Sequence, residues 1–150
     1  MANGELIVEF GRPFVPEAGE HDVYVADLRV AVSRFGNVLY LDLILLDEGD
    51  NKGEGFSLLY GLPRPGRKLS DQSKLGQLLA QMGMPVSEWA EKGASVDLRK
   101  LLVGKRMRVV TGITVKEGQA GVIEVATLAA VKKVYGEGEG PELPEGITPF

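Results

Sequence analysis

"VYVADLRVAVSRFGNVLYLDLILL" (residues 23–46) decides the fold. Its first part, 23–35, is dense in β-branched residues, and Leu28, Val30 and Val32 alternate with polar or small neighbours. Its second part, 38–46, sets Leu39, Leu41, Leu43 and Leu45 at every other position. A period of two places one set of side chains on one side of a pleated strand, so both parts predict strands. Gly36-Asn37 between them is a two-residue hairpin signal. If the leucine row enters a core, Tyr40, opposite in phase, points outward.

Working outward, 47–55 is polar and glycine-rich and reads as a loop. "FSLLYG" (56–61) predicts a short third strand, with Phe56, Leu58 and Tyr60 on one face, core-facing or outward. A helix follows, with Ser70 as its expected N-cap and Asp71 in its first turn. Leu75, Leu78, Leu79 and Met82 form one apolar stripe, and Gly83 supplies the stop. "VSEWAEKG" (86–93) is compatible with a second short helix capped by Ser87 and ended by Gly93. "DLRKLLVG" (97–104) reads as a helical turn leading into a strand. In 105–115, Met107, Val109 and Thr111 alternate with Arg106, Arg108 and Val110; 116–121 reads as a turn and 122–134 as the last strand. Three strands, a helix and two strands is the order of an OB-fold, a five-stranded Greek-key barrel with its helix between strands three and four. Residues before 20, with Leu6, Ile7, Val8 and Phe10, suit either an extra strand or an arm to a neighbouring subunit.

The chain has 150 residues, enough for one domain with a real core. It has no cysteine, which excludes disulfides and thiolate metal sites and fits a reducing cytoplasm. The first ten residues lack a basic leader region, and no apolar run approaches the roughly 20 residues of a membrane helix. Net charge is −4, and its placement is uneven. Glu137, Glu139, Glu142 and Glu145 all lie at the C-terminal end, and without them the remaining acids balance the 17 lysines and arginines. The expected division is therefore a neutral body, 1–134, and an acidic Gly/Pro-rich tail, 135–150, too poor in apolar residues to order itself.

No catalytic, cofactor or metal motif emerges. His21 is the only histidine, sits in a polar lead-in, and has no nucleophile motif to serve; it reads as a surface residue. "DEGDN" (47–51) misses the spacing of a calcium loop. The chain reads as a non-enzyme without cofactor or metal.

Basic and aromatic residues say more. Single-stranded nucleic acid needs cations for phosphates and flat side chains for bases. Arg34 and Phe35 at the first hairpin, Tyr40 on the second strand, and Phe56 and Tyr60 on the third are the stacking and groove candidates. Arg106, Arg108 and Lys116 are the phosphate candidates. The tail ends in "ITPF", and Glu145, Ile147, Pro149 and Phe150 offer a partner an aromatic anchor beside carboxylates.

With its Gly/Pro-rich acidic tail ending in Pro149-Phe150, and the run "LVGKRMRV" (102–109), the chain resembles the single-stranded-DNA-binding proteins of bacteria and their phages. It departs from them in Thr148 and in carrying sparse glutamates rather than clustered aspartates. The resemblance implies sequence-independent coating of single-stranded DNA in replication, recombination or repair, partner proteins recruited by the tail, and a cytoplasmic location in a bacterial or phage-infected cell. It is compatible with a homo-oligomer. A tail that competes with DNA for cationic groups would do so best at low salt. The rival expectation is a β-barrel assembly module, for instance of a phage particle, which the neutral body favours.

Overall fold

The computed structural model describes residues 5–34 and 36–147. Five strands form one antiparallel sheet: β1 (Gly19–Ser33), β2 (Gly36–Leu45), β3 (Gly55–Gly61), β4 (Arg106–Gly118) and β5 (Gly121–Val134). Between β3 and β4 lie three short helices, α1 (Lys74–Gln81), α2 (Val86–Lys92) and α3 (Leu98–Leu102). The sheet order is β3-β2-β1-β4-β5, so β3 and β5 are its edges. No described helix is long and apolar enough to cross a membrane.

The leucine row of β2 builds the core as expected. Leu39, Leu41, Leu43 and Leu45 are buried, together with Val23, Val25 and Leu28 of β1 and Met107 and Val109 of β4. Leu75, Leu78 and Leu79 of α1 and Leu102 of α3 close over them. Each such side chain contributes about 1.5–3 kcal/mol on burial. The register also settles β3. Phe56, Leu58 and Tyr60 pair with Leu43, Leu41 and Leu39, and directly opposed residues share a face of the sheet. Where the leucines are buried, these three must be as well.

Several local expectations change. Gly36 and Asn37 are not the first hairpin's turn, because both are already paired, to Ser33 and Val32. The chain reverses before them, and the Ser33 hydroxyl donates to the Gly36 carbonyl at 2.9 Å. Ser73, not Ser70, caps α1: its hydroxyl accepts from the Gly76 amide at 3.0 Å. Ser70 instead holds the preceding turn, accepting from the Gln72 amide at 3.0 Å. Ser87 lies inside α2, whose N-cap is Pro85 and has no side-chain cap bond. Gly93 does end α2, in the left-handed region at φ 65° that a side chain would disfavour. β4 runs on to Gly118, which pairs with Gly121, so Lys116 is a strand residue opposite Ile123 and does not begin a turn.

His21 is not a free surface residue either. It lies in β1, where Asp47 at the end of the β2 strand meets it: ring Nδ1 is 2.5 Å from Asp47 Oδ2, and Nε2 is 2.5 Å from the Glu17 carbonyl. Asp47 Oδ1 also accepts from the Asp22 amide at 2.7 Å. Two acceptors on one ring favour the imidazolium. Burial opposes protonation, but the Glu17 carbonyl and the Asp47 carboxylate outweigh it and hold His21 above the ordinary 6.5. A raised folded-state pKa stabilises fully below the unfolded value and loses that contribution as pH rises through the folded one. Thermal melts of wild type and His21→Asn should therefore differ most in acid and converge above neutral pH. A gap that widens toward alkaline pH contradicts the arrangement.

Candidate nucleic-acid interface

A groove of about 1180 Å³ runs between the two edge strands. β2 and β3 contribute Tyr40, Asp42, Ser57 and Leu59, and β5 contributes Ile123 through Ala129. Lys74 and Gln77 of α1 lie along it, and so do Lys116 of β4 and the lead-in residues Pro13–Val15. Phe14 meets Phe56 edge-on, with ring centroids 6.3 Å apart.

Tyr40 sits on the outer face of β2, as its phase predicts. Directly across the hairpin is Arg29, whose guanidinium lies 4.9 Å from the Tyr40 ring centroid. Arg29 Nε donates to Asp42 Oδ2 at 2.6 Å and its NH2 to Asp42 Oδ1 at 2.8 Å. Ser57 Oγ also donates to Asp42 Oδ1, at 2.6 Å. The bidentate Arg29 bond holds the Asp42 carboxyl below the usual carboxylate range, with Ser57 adding to it. The result is a cation–π pair, the β1 guanidinium over the β2 ring, held in place by Asp42 of β2 and Ser57 of β3. Both are planar surfaces on which a base can stack. Lys74 and Lys116 border the groove, and neither forms an ion pair with another described residue.

Other candidates are placed differently. Phe56 and Tyr60 are core residues, 7% and 6% exposed. Both line the groove, but only through the small area that such covered rings leave open. The buried Tyr60 hydroxyl has no partner among the described residues, and burial pushes its pKa up. Arg34 is exposed at the β1–β2 turn and does not line the groove. Phe35, Pro149 and Phe150 lie outside the described residues.

Arg106 and Arg108 are partly covered on β4 and do not line the groove. Arg108 pairs with Asp22 at 3.4 Å and Glu20 at 3.6 Å. Arg106 donates to the carbonyls of Pro141 at 3.0 Å and Glu139 at 3.4 Å. The tail, expected to be structureless, thus lies against the body through residue 144. Tyr135 donates its hydroxyl to Asp22 at 2.7 Å, and Pro144 lies over Gly53, where a Cβ on the glycine would meet its ring at 3.6 Å. The bonds are made by backbone carbonyls and the Tyr135 hydroxyl rather than by glutamate side chains, which composition alone does not reveal. Glu145 is exposed, and Ile147 is half-buried with its amide donating to the Pro144 carbonyl at 3.2 Å.

Arg29, Asp42, Ser57 and Lys74 were not singled out by sequence. The usable signal was the hairpin register: a turn on Gly36-Asn37 would set Tyr40 across from Ser33, whereas the actual turn sets it across from Arg29. Among the described residues, no group of three or more histidine and carboxylate side chains is arranged to hold a metal ion. Comparison with protein-family models, curated proteins and solved structures finds no match to this chain.

Proposed function

We propose that the protein binds single-stranded DNA without sequence preference, in a groove of an OB-like barrel, and performs no catalysis. The observation that carries this reading is the outward Tyr40–Arg29 platform beside a groove bordered by Lys74 and Lys116. Stacking on such a platform contributes about 1–3 kcal/mol per base and tolerates any base. The strand pairing supports the barrel: β1 pairs with both β2 and β4, and β3 and β5 face one another across a common groove. In an OB-fold the ligand lies on the strand 2–3 face, beside the hairpins after strands 1 and 4. Tyr40, Ser57 and Lys116 occupy those places. The compartment we propose is the cytoplasm of a bacterial or phage-infected cell. The partners we propose for the tail are replication and recombination proteins, with Glu145, Ile147, Pro149 and Phe150 as the anchor.

The tail restrains the same function. Its carbonyls occupy Arg106, and its four glutamates add negative charge next to a neutral body. Anisotropy titrations of labelled oligo-dT and its duplex, with full-length protein and a 1–135 truncation across a salt series, test both parts. Expected are binding to the single strand only, a loss of affinity with salt, and tighter binding by the truncation, most at low salt. Equal affinity of the two forms at low salt overturns the competition. Absence of binding by both overturns the DNA reading.

A second reading is favoured by one observation. Arg106 and Arg108 are engaged within the chain, and the body carries no net charge. A non-enzymatic β-barrel that serves in assembly needs no free cationic surface. It predicts no binding to either oligonucleotide.

A further inference from the structure

β1 and β4 pair only as far as Gly19 and Thr111. Beyond that point β4 continues to Gly118 with β5 on one side, and no described residue pairs with its other edge from Gly112 to Gly118. In this chain the natural continuation would be residues 12–18 running along that edge. Prolines stop it: Pro13 and Pro16 have no amide proton to give to a ladder. The chain turns away, Pro16 becomes buried and Phe14 goes to Phe56.

The β4 edge has an apolar stretch at Ile113 and Val115. Ile113 and Val115 continue the core-facing row of Met107, Val109 and Thr111, yet are 41% and 61% exposed. Val122, on the same face through its pairing with Glu117, is also exposed. The same face also carries Glu117 at its outer end and Glu124 of β5 opposite Val115, while the other face carries Gly112, Thr114 and Lys116.

Upstream of Pro13 the chain holds a segment with the matching pattern. Glu5–Phe10 has neither proline nor glycine and alternates Leu6, Val8 and Phe10 with Glu5, Ile7 and Glu9. It belongs to no described element, and Leu6 and Phe10 are 90% and 93% exposed. Six residues with apolar Leu6, Val8 and Phe10 on one face and two carboxylates on the other fit an edge that has Ile113 and Val115 on one face and Lys116 on the other, with Glu117 left at its outer end. An open apolar edge and an uncovered apolar strand are each a hazard alone, and pairing removes both.

We propose that residues 5–10 of one copy add as a strand to the Gly112–Gly118 edge of a second copy, reciprocally, making a twofold dimer. Val8 and Phe10 cover Val115 and Ile113, Leu6 lies along the aliphatic stem of Glu117, and Glu5 and Glu9 flank Lys116. The contact is isologous and closes on itself, so it stops at two chains. It shares Lys116 with the proposed DNA groove, so the test is run without DNA and its outcome does not depend on that reading.

The full-length protein is measured by sedimentation equilibrium and light scattering over a concentration series. A mass twice 16.2 kDa is expected. Val8→Glu should shift the midpoint to at least about tenfold higher concentration without altering the thermal melt, since the segment packs on nothing within its own chain. Lys116→Glu should weaken the dimer, and Lys116→Glu combined with Glu9→Lys should restore it. Because the chain has no cysteine, Val8→Cys and Val115→Cys proteins can be mixed and oxidised; a covalent heterodimer is expected. The proposal is overturned by a monomer at every concentration, by a dimer indifferent to Val8→Glu, or by a Val8→Cys/Val115→Cys double variant that closes only within single chains.

Discussion

Tyr40→Ala should lower affinity for oligo-dT by about 1–3 kcal/mol, roughly five- to more than a hundredfold, with the fold intact. The side chain is only half-buried, on the outer face of β2, and its main contact is the Arg29 guanidinium. Its removal leaves the leucine row on the other face untouched. Arg29 keeps its two bonds to Asp42, so no buried charge is stranded. Phe56→Ala on the neighbouring strand should do the reverse. Phe56 is in the core, and emptying such a site costs about 3–5 kcal/mol of stability. Binding and circular-dichroism melts of the two variants separate the roles. Equal binding by wild type and Tyr40→Ala removes the platform from the account; a native-like melt for Phe56→Ala removes that residue from the core.

Gly76→Ala is expected to destabilise, against the ordinary rule. In a helix, alanine is better than glycine by about 1 kcal/mol. Here a Cβ on Gly76 would lie 2.7 Å from the carbonyl oxygens of both Ser70 and Asp71. Neither is the movable end of a side chain. The Ser70 carbonyl already accepts from the Ser73 hydroxyl at 2.6 Å and the Ser73 amide at 3.1 Å, and Ser73 caps the helix. Relieving the clash means opening the turn that starts α1. Overpacking of this kind costs roughly 1–3 kcal/mol, or about 2–10 °C in Tm for a chain of this size. α1 also borders the groove through Lys74 and Gln77, so DNA affinity should fall along with stability. A variant that melts at or above the wild-type temperature refutes this packing.

The parts of the structure that depend on pattern were legible in the sequence. Leu39 to Leu45 alternate without a break, so the buried face of β2 and the outward phase of Tyr40 followed directly. The αL glycine that ends α2 and the stripe of α1 were equally clear. What failed depended on register or on contacts distant in sequence. The Gly36-Asn37 pair has strong turn chemistry, but a reversal just before it was enough to move every cross-strand partner and conceal Arg29 behind Tyr40. The fate of β3 rested on its pairing with β2, since Phe56, Leu58 and Tyr60 suit a core or a ligand face equally well. Arg106 and Arg108 had the right alternation to face outward, yet their partners, Glu20, Asp22 and the carbonyls of 139 and 141, come from the other end of the body and from the tail. The lone histidine looked exposed because Asp47 lies 26 residues away in sequence.

The central claim is that single-stranded DNA lies across the outer face of β2 and β3 and beside the β4–β5 hairpin. An amide-resolved NMR titration of the full-length protein with oligo-dT tests it most directly. The account predicts shifts concentrated at Arg29, Tyr40, Ser57, Lys74, Lys116 and Ile123, with core amides such as Leu41 and Val109 little changed. Shifts absent from that face, or confined to the exposed residues 64–68 between β3 and α1, which include Arg64, Arg67 and Lys68, would contradict it.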